Sequence, residues 1–164
     1  MKTTVLSHRQ IEQKLQRIAY EIIENNNEAS SFYLIGIKGN GSILVKRLEA
    51  VLIQIGHQKV ESGEIIINKQ NPFNEPIQFT HDDIDLSKST IILVDDVINS
   101  GRTMQYALAK ILEKPVFKIK TVALVDRKHR RYPIHSDYIG LTLSTTLQDR
   151  VKVDLGEEDC AFLV

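Results

Sequence analysis

Three short apolar runs recur along this chain: Phe32–Ile37 (FYLIGI), Thr90–Asp95 (TIILVD) and Ile119–Val125 (IKTVALV). Runs so short and so nearly continuous suit strands covered on both faces, as in a buried parallel sheet. Between them, apolar residues recur at three- and four-residue steps. Ile43, Leu44, Leu48, Val51, Leu52 and Ile55 form one such set, ending at Gly56, and Met104, Leu108, Ile111 and Leu112 form another. A third helix is expected from His8, capped by Ser7, with Ile11, Leu15, Ile18 and Ile22 on one face. It should stop near Asn25–Asn27, whose amide side chains compete with the helical backbone. A further strand lies within Val60–Asn68 (EIIIN), and Asn71–Thr80, with Pro72 and Pro76, reads as a loop. Strands alternating with helices predict an α/β fold, a parallel sheet flanked by helices.

The chain has 164 residues, the size of one domain, and no repeat or linker divides it. Lys and Arg number 21, as do Asp and Glu, so the net charge is zero and a surface dominated by nucleic-acid binding is disfavoured. Cys160 is the only cysteine and reads as a packing residue, with no internal disulfide possible. The opening MKTTVLSHRQ lacks the apolar core of a secretion signal, and no apolar run approaches a membrane span. A cytoplasmic protein without membrane contact is expected.

Three polar loops follow strands: Lys38–Gly41, Asp95–Thr103 and Asp126–Arg131. In parallel sheets ligands gather at these carboxyl ends. The middle loop has three parts. Asp95 and Asp96 meet solvent where an apolar strand ends, which suits two neighbouring hydroxyls or Mg²⁺. Asn99, Ser100 and Gly101 are small enough for backbone amides to turn around an anion. Arg102 and Thr103 then open a helix whose N-terminus carries partial positive charge. Diol acceptors beside a phosphate cradle describe a receptor for ribose 5-phosphate. Taken singly, the acidic pair could be a polar strand end and Ser100 a helix cap; the whole string is far more specific. The G-x-x-x-x-G-K-[ST] motif is absent, and GNGS at Gly39–Ser42 matches only the start of a dinucleotide fingerprint. Lys38–Gly41 is either an anion loop before a helix N-terminus or a plain strand-to-helix turn.

The string VDDVINSGRT resembles the signature of type I phosphoribosyltransferases, which bind 5-phosphoribosyl-1-pyrophosphate (PRPP). RIAYEIIENN, LIGIKGNGSILVKRL, GEIII, TIILVDDVINSGRTM and ALVDRKHRRYPIHSDYIG, in that order, resemble the bifunctional pyrimidine-operon attenuator and uracil phosphoribosyltransferase family. The resemblance implies a type I phosphoribosyltransferase fold: one domain over residues 1–164, about five parallel strands, and a small hood from the N- and C-terminal segments. It further implies Mg²⁺ and a homodimer or larger assembly. By the same resemblance Asp95 and Asp96 contact the ribose hydroxyls and the Mg²⁺ bound there, while Asn99, Ser100, Gly101, Arg102 and Thr103 wrap the 5-phosphate. Lys38, Gly39, Asn40 and Gly41 become the pyrophosphate loop, and Arg127 a catalytic residue holding diphosphate and base. Lys128 and Arg131 are left as a solvated turn. Tyr138 and Ile139 would sit in the hood and flank the base, or Tyr138 would be core packing.

Three departures from the family bear on function. Asn99 stands where 6-oxopurine transferases have an aspartate, and an amide cannot take a proton at neutral pH, which turns the site toward uracil. Asn40 replaces a basic residue of the pyrophosphate loop, so weaker anion binding is expected, and Asn68–Pro76 (NKQNPFNEP) replaces an arginine-bearing lid. Lys69 is the only basic residue in that segment and is not assigned the arginine's role. Of the family's RNA-binding face only Arg17 and Arg130 match, with Gln16, Tyr20, His135 and Leu141 departing, so RNA is disfavoured as a partner. The leading reading is a uracil phosphoribosyltransferase. The alternative is a regulator of pyrimidine genes that senses PRPP or a nucleotide and has lost efficient catalysis.

Overall fold

The computed structural model describes residues 1–146 and 148–164. Strand β1 (Thr3–Leu6) leads through Ser7 into helix α1 (His8–Asn25). Ser7 and Gln10 form a reciprocal capping box, with Gln10 N–H donating to Ser7 Oγ (3.3 Å) and Ser7 N–H to Gln10 Oε1 (2.8 Å). The buried face carries Ile11, Leu15, Ile18, Ala19 and Ile22. Then come β2 (Ser31–Ile37), α2 (Asn40–Ile55), β3 (Lys59–Ile66), β4 (Gln78–Phe79), β5 (Thr90–Ile98) and α3 (Arg102–Ile111). The chain closes with β6 (Lys118–Asp126), β7 (Tyr138–Thr142), β8 (Val151–Asp154) and β9 (Cys160–Leu163).

The six-stranded sheet runs β4-β3-β2-β5-β6-β7, and all its strands are parallel except the short edge strand β4. Alternation along the strands divides the core in two. Phe32, Leu34, Ile92 and Val94 pack under α1 and α2, while Tyr33, Ile35, Ile91 and Leu93 pack with Met104, Ala107 and Ile111 of α3. Helix α3 stops sooner than the apolar spacing suggests. Leu112 is its C-cap residue and half exposed, and Pro115 follows, which cannot continue a helix.

β5 also runs longer than the apolar run predicts. Its pairing with β2 ends at Gly36↔Val94, yet pairing with β6 continues to Ile98↔Asp126. The acidic pair therefore lies inside a strand that has lost one neighbour. A second, antiparallel sheet, β1-β9-β8, joins the two ends of the chain, with β8 packed against β5. This is the hood.

Tyr138 and Ile139 do not belong to it. They open β7, the edge strand of the main sheet, opposite Val122 and Ala123 and four residues back from the end of β6 at Asp126. Tyr138 is buried against α1, and its hydroxyl accepts from Asn26 Nδ2 (2.8 Å). The Ile139 carbonyl accepts from Arg17 (2.8 Å). The core-packing role of Tyr138 is the correct one, because the register sets both residues away from the strand ends. Tyr138→Phe leaves a buried Asn26 donor without its partner and should cost about 1–3 kcal/mol in denaturant unfolding. A tyrosine touching a base would instead lose ligand affinity with little change in stability.

Candidate functional site

A cleft of about 460 Å³ opens at the carboxyl end of β5, lined by Lys69, residues 95–104 and the hood strand β8. Asp95 is only 3% exposed. Its Oδ1 accepts from the Asp96 amide (2.9 Å) and from Lys69 Nζ (3.0 Å), and its Oδ2 from Lys69 Nζ at 3.3 Å. The Asp96 carboxylate is held at both oxygens, Oδ1 by the Val97 amide (2.7 Å) and Oδ2 by Asn40 Nδ2 (2.8 Å). Burial pushes the Asp95 carboxyl up to about 7; the Asp96 charge pushes the same way, and Lys69 opposes both. For Lys69, burial would lower the pKa, but the two carboxylates outweigh it and the value rises.

Lys69 reaches this position because its loop is docked on α3. Arg102 Nη2 donates to the carbonyls of Lys69 (2.9 Å) and Gln70 (2.7 Å). Asn68 Oδ1 accepts from the amides of Gln70 and Asn71, tightening the turn. Further along, the Phe73 ring meets Tyr106 edge-on, with centroids 5.1 Å apart. The Asn68–Pro76 segment, which carries no arginine, thus sets Lys69 on the acidic pair and engages Arg102.

The Asn99–Thr103 loop, the expected phosphate loop, turns at Gly101, which has φ 85°. A Cβ there would also lie 2.2 Å from Ile134 Cγ2, so both conformation and space require glycine. Arg102 N–H donates to Ser100 Oγ (3.3 Å), and Arg102, Thr103 and Met104 of the first turn of α3, whose amides lie outside the helical ladder, line the cleft. The DRKHRR segment props this loop from behind. The amides of Arg131 and Tyr132 donate to the Ser100 carbonyl, and Arg130 Nη1 to the Asn99 carbonyl (3.1 Å).

Two expectations are corrected here. Arg127 does not line the cleft: its buried guanidinium donates to Asn99 Oδ1 (2.9 Å), Thr145 Oγ1 (2.9 Å), Thr146 O (3.1 Å) and Asp149 O (2.6 Å). Those partners hold it as a strut between the phosphate loop and the segment leading to β8, not as a group free to grip diphosphate. Residues 38–41 also lie outside the lining. Lys38 is exposed at the surface, Gly39 turns with φ 109°, Gly41 is buried against β5, and Asn40 is engaged by Asp96 and the hood.

Asp95, Asp96, Asn99, Ser100, Gly101, Arg102 and Thr103 do converge in the cleft. Residues not foreseen there are Lys69 and β8, whose alternation of Val151 and Val153 with Lys152 and Asp154 is a weak period-two strand signal. Among the described residues no three His, Cys, Asp or Glu side chains gather as a complete metal cage. Two adjacent carboxylates suit a Mg²⁺ ion that takes its remaining oxygens from water and ligand, which is how Mg²⁺ is commonly held. Nor, among those residues, is any helix long and apolar enough to cross a membrane.

Residues 1–155 match the Phosphoribosyl transferase domain family. The Bifunctional protein PyrR of Bacillus mycoides is 36% identical over 168 aligned positions, covering 96% of this chain and 93% of that protein. The Bifunctional protein PyrR of Bacillus cereus matches equally. Among solved structures, a hypoxanthine-guanine phosphoribosyltransferase from Bacillus anthracis superposes with a TM-score of 0.70 at 20% identity, covering 85% of this chain and 81% of the other. Hypoxanthine phosphoribosyltransferase from Trypanosoma cruzi gives a TM-score of 0.73 at 16% identity, covering 85% and 80%. At these identities the two structures share the fold.

The raised Asp95 pKa predicts how stability responds to pH. The folded chain protonates this carboxyl more readily than the unfolded chain, so its ionisation opposes folding. The penalty is absent below the ordinary value of 3.8, grows up to about 7 and is complete above it. Asp95→Asn, which cannot ionise, should therefore gain Tm relative to wild type between about pH 4 and about pH 8 in thermal melts. A difference independent of pH would refute the assignment.

Proposed function

The chain belongs to the phosphoribosyl transferase domain family and, within it, to the family of the bifunctional PyrR proteins, and from that premise we propose that it transfers ribose 5-phosphate from PRPP to uracil. In this reaction the bond from C1 of the ribose to diphosphate breaks, a bond from C1 to a uracil nitrogen forms, and that nitrogen gives up its proton. The observation that carries the reading is the cleft itself, where buried Asp95, half-buried Asp96 and the first turn of α3 line one cavity. Asp95 and Asp96 accept from the ribose hydroxyls once Lys69 withdraws, and residues 99–103 take the 5-phosphate through backbone amides. β8, whose Val151 and Val153 anchor it to the core, forms the edge of the cleft against which a base lies. Mg²⁺ held by the ligand's oxygens and facing Asp95 and Asp96 supplies charge stabilisation for the departing diphosphate.

Asn99 supports a pyrimidine over a purine. Its Oδ1 is engaged by Arg127, and a carboxamide takes no proton at neutral pH. A cytoplasmic homodimer belongs to the same reading, supported for the compartment by the single unpaired cysteine. RNA is not favoured as a partner. Arg17 is engaged by Glu21 and two carbonyls of β7, and Arg130 by Asp126, Ser136 and two carbonyls.

One observation favours a second reading, a sensor of PRPP or nucleotide with little turnover. Lys69 occupies the oxygens that the ribose hydroxyls need. Calorimetry separates the two, since tight nucleotide binding without product would identify the sensor.

Incubation with PRPP, Mg²⁺ and uracil should yield uridine 5′-monophosphate, with hypoxanthine and guanine turned over at least about tenfold less well. Asp95→Asn/Asp96→Asn should reduce kcat/KM by about two orders of magnitude or more. Equal activity in the wild type and the double variant would sink the assignment.

A further inference from the structure

Asn40, the first residue of α2, sits where an anion contact was expected and does something else. Its Nδ2 donates to Asp96 Oδ2 (2.8 Å) and to the Val153 carbonyl of β8 (2.7 Å). A carboxamide nitrogen carries two hydrogens, and here each is directed to a different wall of the cleft. One partner belongs to the acidic pair on β5; the other belongs to the hood strand β8, which packs against β5 and lines the same cleft.

The loop that presents Asn40 has no slack. A Cβ on Gly41 would lie 2.7 Å from the Val94 carbonyl, and one on Gly36 would lie 2.7 Å from the Gly41 carbonyl. The backbones of β2, the loop and β5 are therefore in direct contact, and the position of Asn40 relative to Asp96 is fixed by packing. Because Asp96 Oδ1 is bound by the Val97 amide, the bond from Asn40 sets the remaining freedom of that carboxylate. The bond is charge-assisted, and it lies in a part-buried site where such bonds are strong.

We propose that Asn40 is a positioning residue, a cross-link that holds Asp96 and the hood strand β8 in one geometry so that the sugar and base walls act as a unit. The use made of it here rests on the phosphoribosyl reading of the cleft, in which Asp96 orients ribose hydroxyls and β8 flanks the base. The geometry itself does not depend on that reading. A basic residue at this place would add charge for diphosphate, but a longer side chain would not keep both short bonds. The chain has a latch at the place where the family resemblance implied an anion contact.

Asn40→Asp is the sharp test because it keeps the shape and replaces the donor with an acceptor facing two other acceptors. Asn40→Ala is the companion, removing both bonds without adding charge. Hydrogen exchange in the free protein should become faster at residues 151–154 in both variants, while the core amides of β2 and β5 keep wild-type rates. Ribose 5-phosphate and uridine 5′-monophosphate, titrated by calorimetry, should bind about tenfold more weakly to Asn40→Asp and several-fold more weakly to Asn40→Ala. In turnover the loss should fall on KM for both substrates more than on kcat. Unchanged exchange at residues 151–154 in both variants overturns the proposal, whether or not any ligand binds. Wild-type protein that binds neither ligand overturns the phosphoribosyl reading instead, and leaves the exchange experiment to decide on Asn40.

Discussion

Two adjacent carboxylates stand on a strand that has outlived one of its neighbours, and much of the surrounding structure satisfies them. β2 ends opposite Val94 while β5 continues, so Asp95 and Asp96 emerge into a notch walled on one side by β6. A buried carboxylate without partners is strongly unfavourable, so groups must be brought to it. They arrive from three directions: backbone amides of Asp96 and Val97 from the strand itself, Lys69 from the loop after β3, and Asn40 from the start of α2. Each carries its segment to the notch, and together they define the cleft.

A second set of contacts works from behind. The basic run after β6 carries four Lys and Arg residues, yet its two buried-side arginines are structural. Arg130 pairs with Asp126 and reaches the Asn99 carbonyl, while Arg127 joins the Asn99 side chain to the segment before β8. The phosphate loop is thereby braced at main chain and side chain. A loop braced in this way keeps its shape before any ligand arrives, which is what preorganisation requires.

What the sequence disclosed and what it hid divide along physical lines. The main helices and strands were legible because each follows from a local rule: the Ser7–Gln10 box, the three- and four-residue apolar spacing, and the doubly covered strand runs. The gathering of residues 95–103 at one cleft was legible because they are contiguous in the chain and follow an apolar strand. Lys69 was not, because its place depends on Arg102 holding carbonyls 32 and 33 residues away in sequence. The role of Arg127 was misjudged because a charged residue beside a strand end looks the same whether it faces the cleft or its back wall. Tyr138 was ambiguous for a related reason: an aromatic at a strand start packs or binds according to register, and register was not available from residue types.

The hood has a consequence for how the molecule comes together. β1 pairs with β9 through Thr3↔Leu163, so this small sheet closes nearly the whole length of the chain into a loop. Contacts of such long sequence separation carry a large closure entropy and tend to form late in folding, after locally connected units have condensed. In the main sheet β2 and β3 are joined by α2, and β5 and β6 by α3, so these two βαβ units are the locally connected ones. The hood is then laid across that platform as a late-forming foldon, and its Leu6, Val153 and Ala161 join the core beneath α1 and α2. A ligand spanning the platform and β8 would fasten that foldon down, so occupancy would be readable as kinetic resistance to proteolysis at the joined ends of the chain.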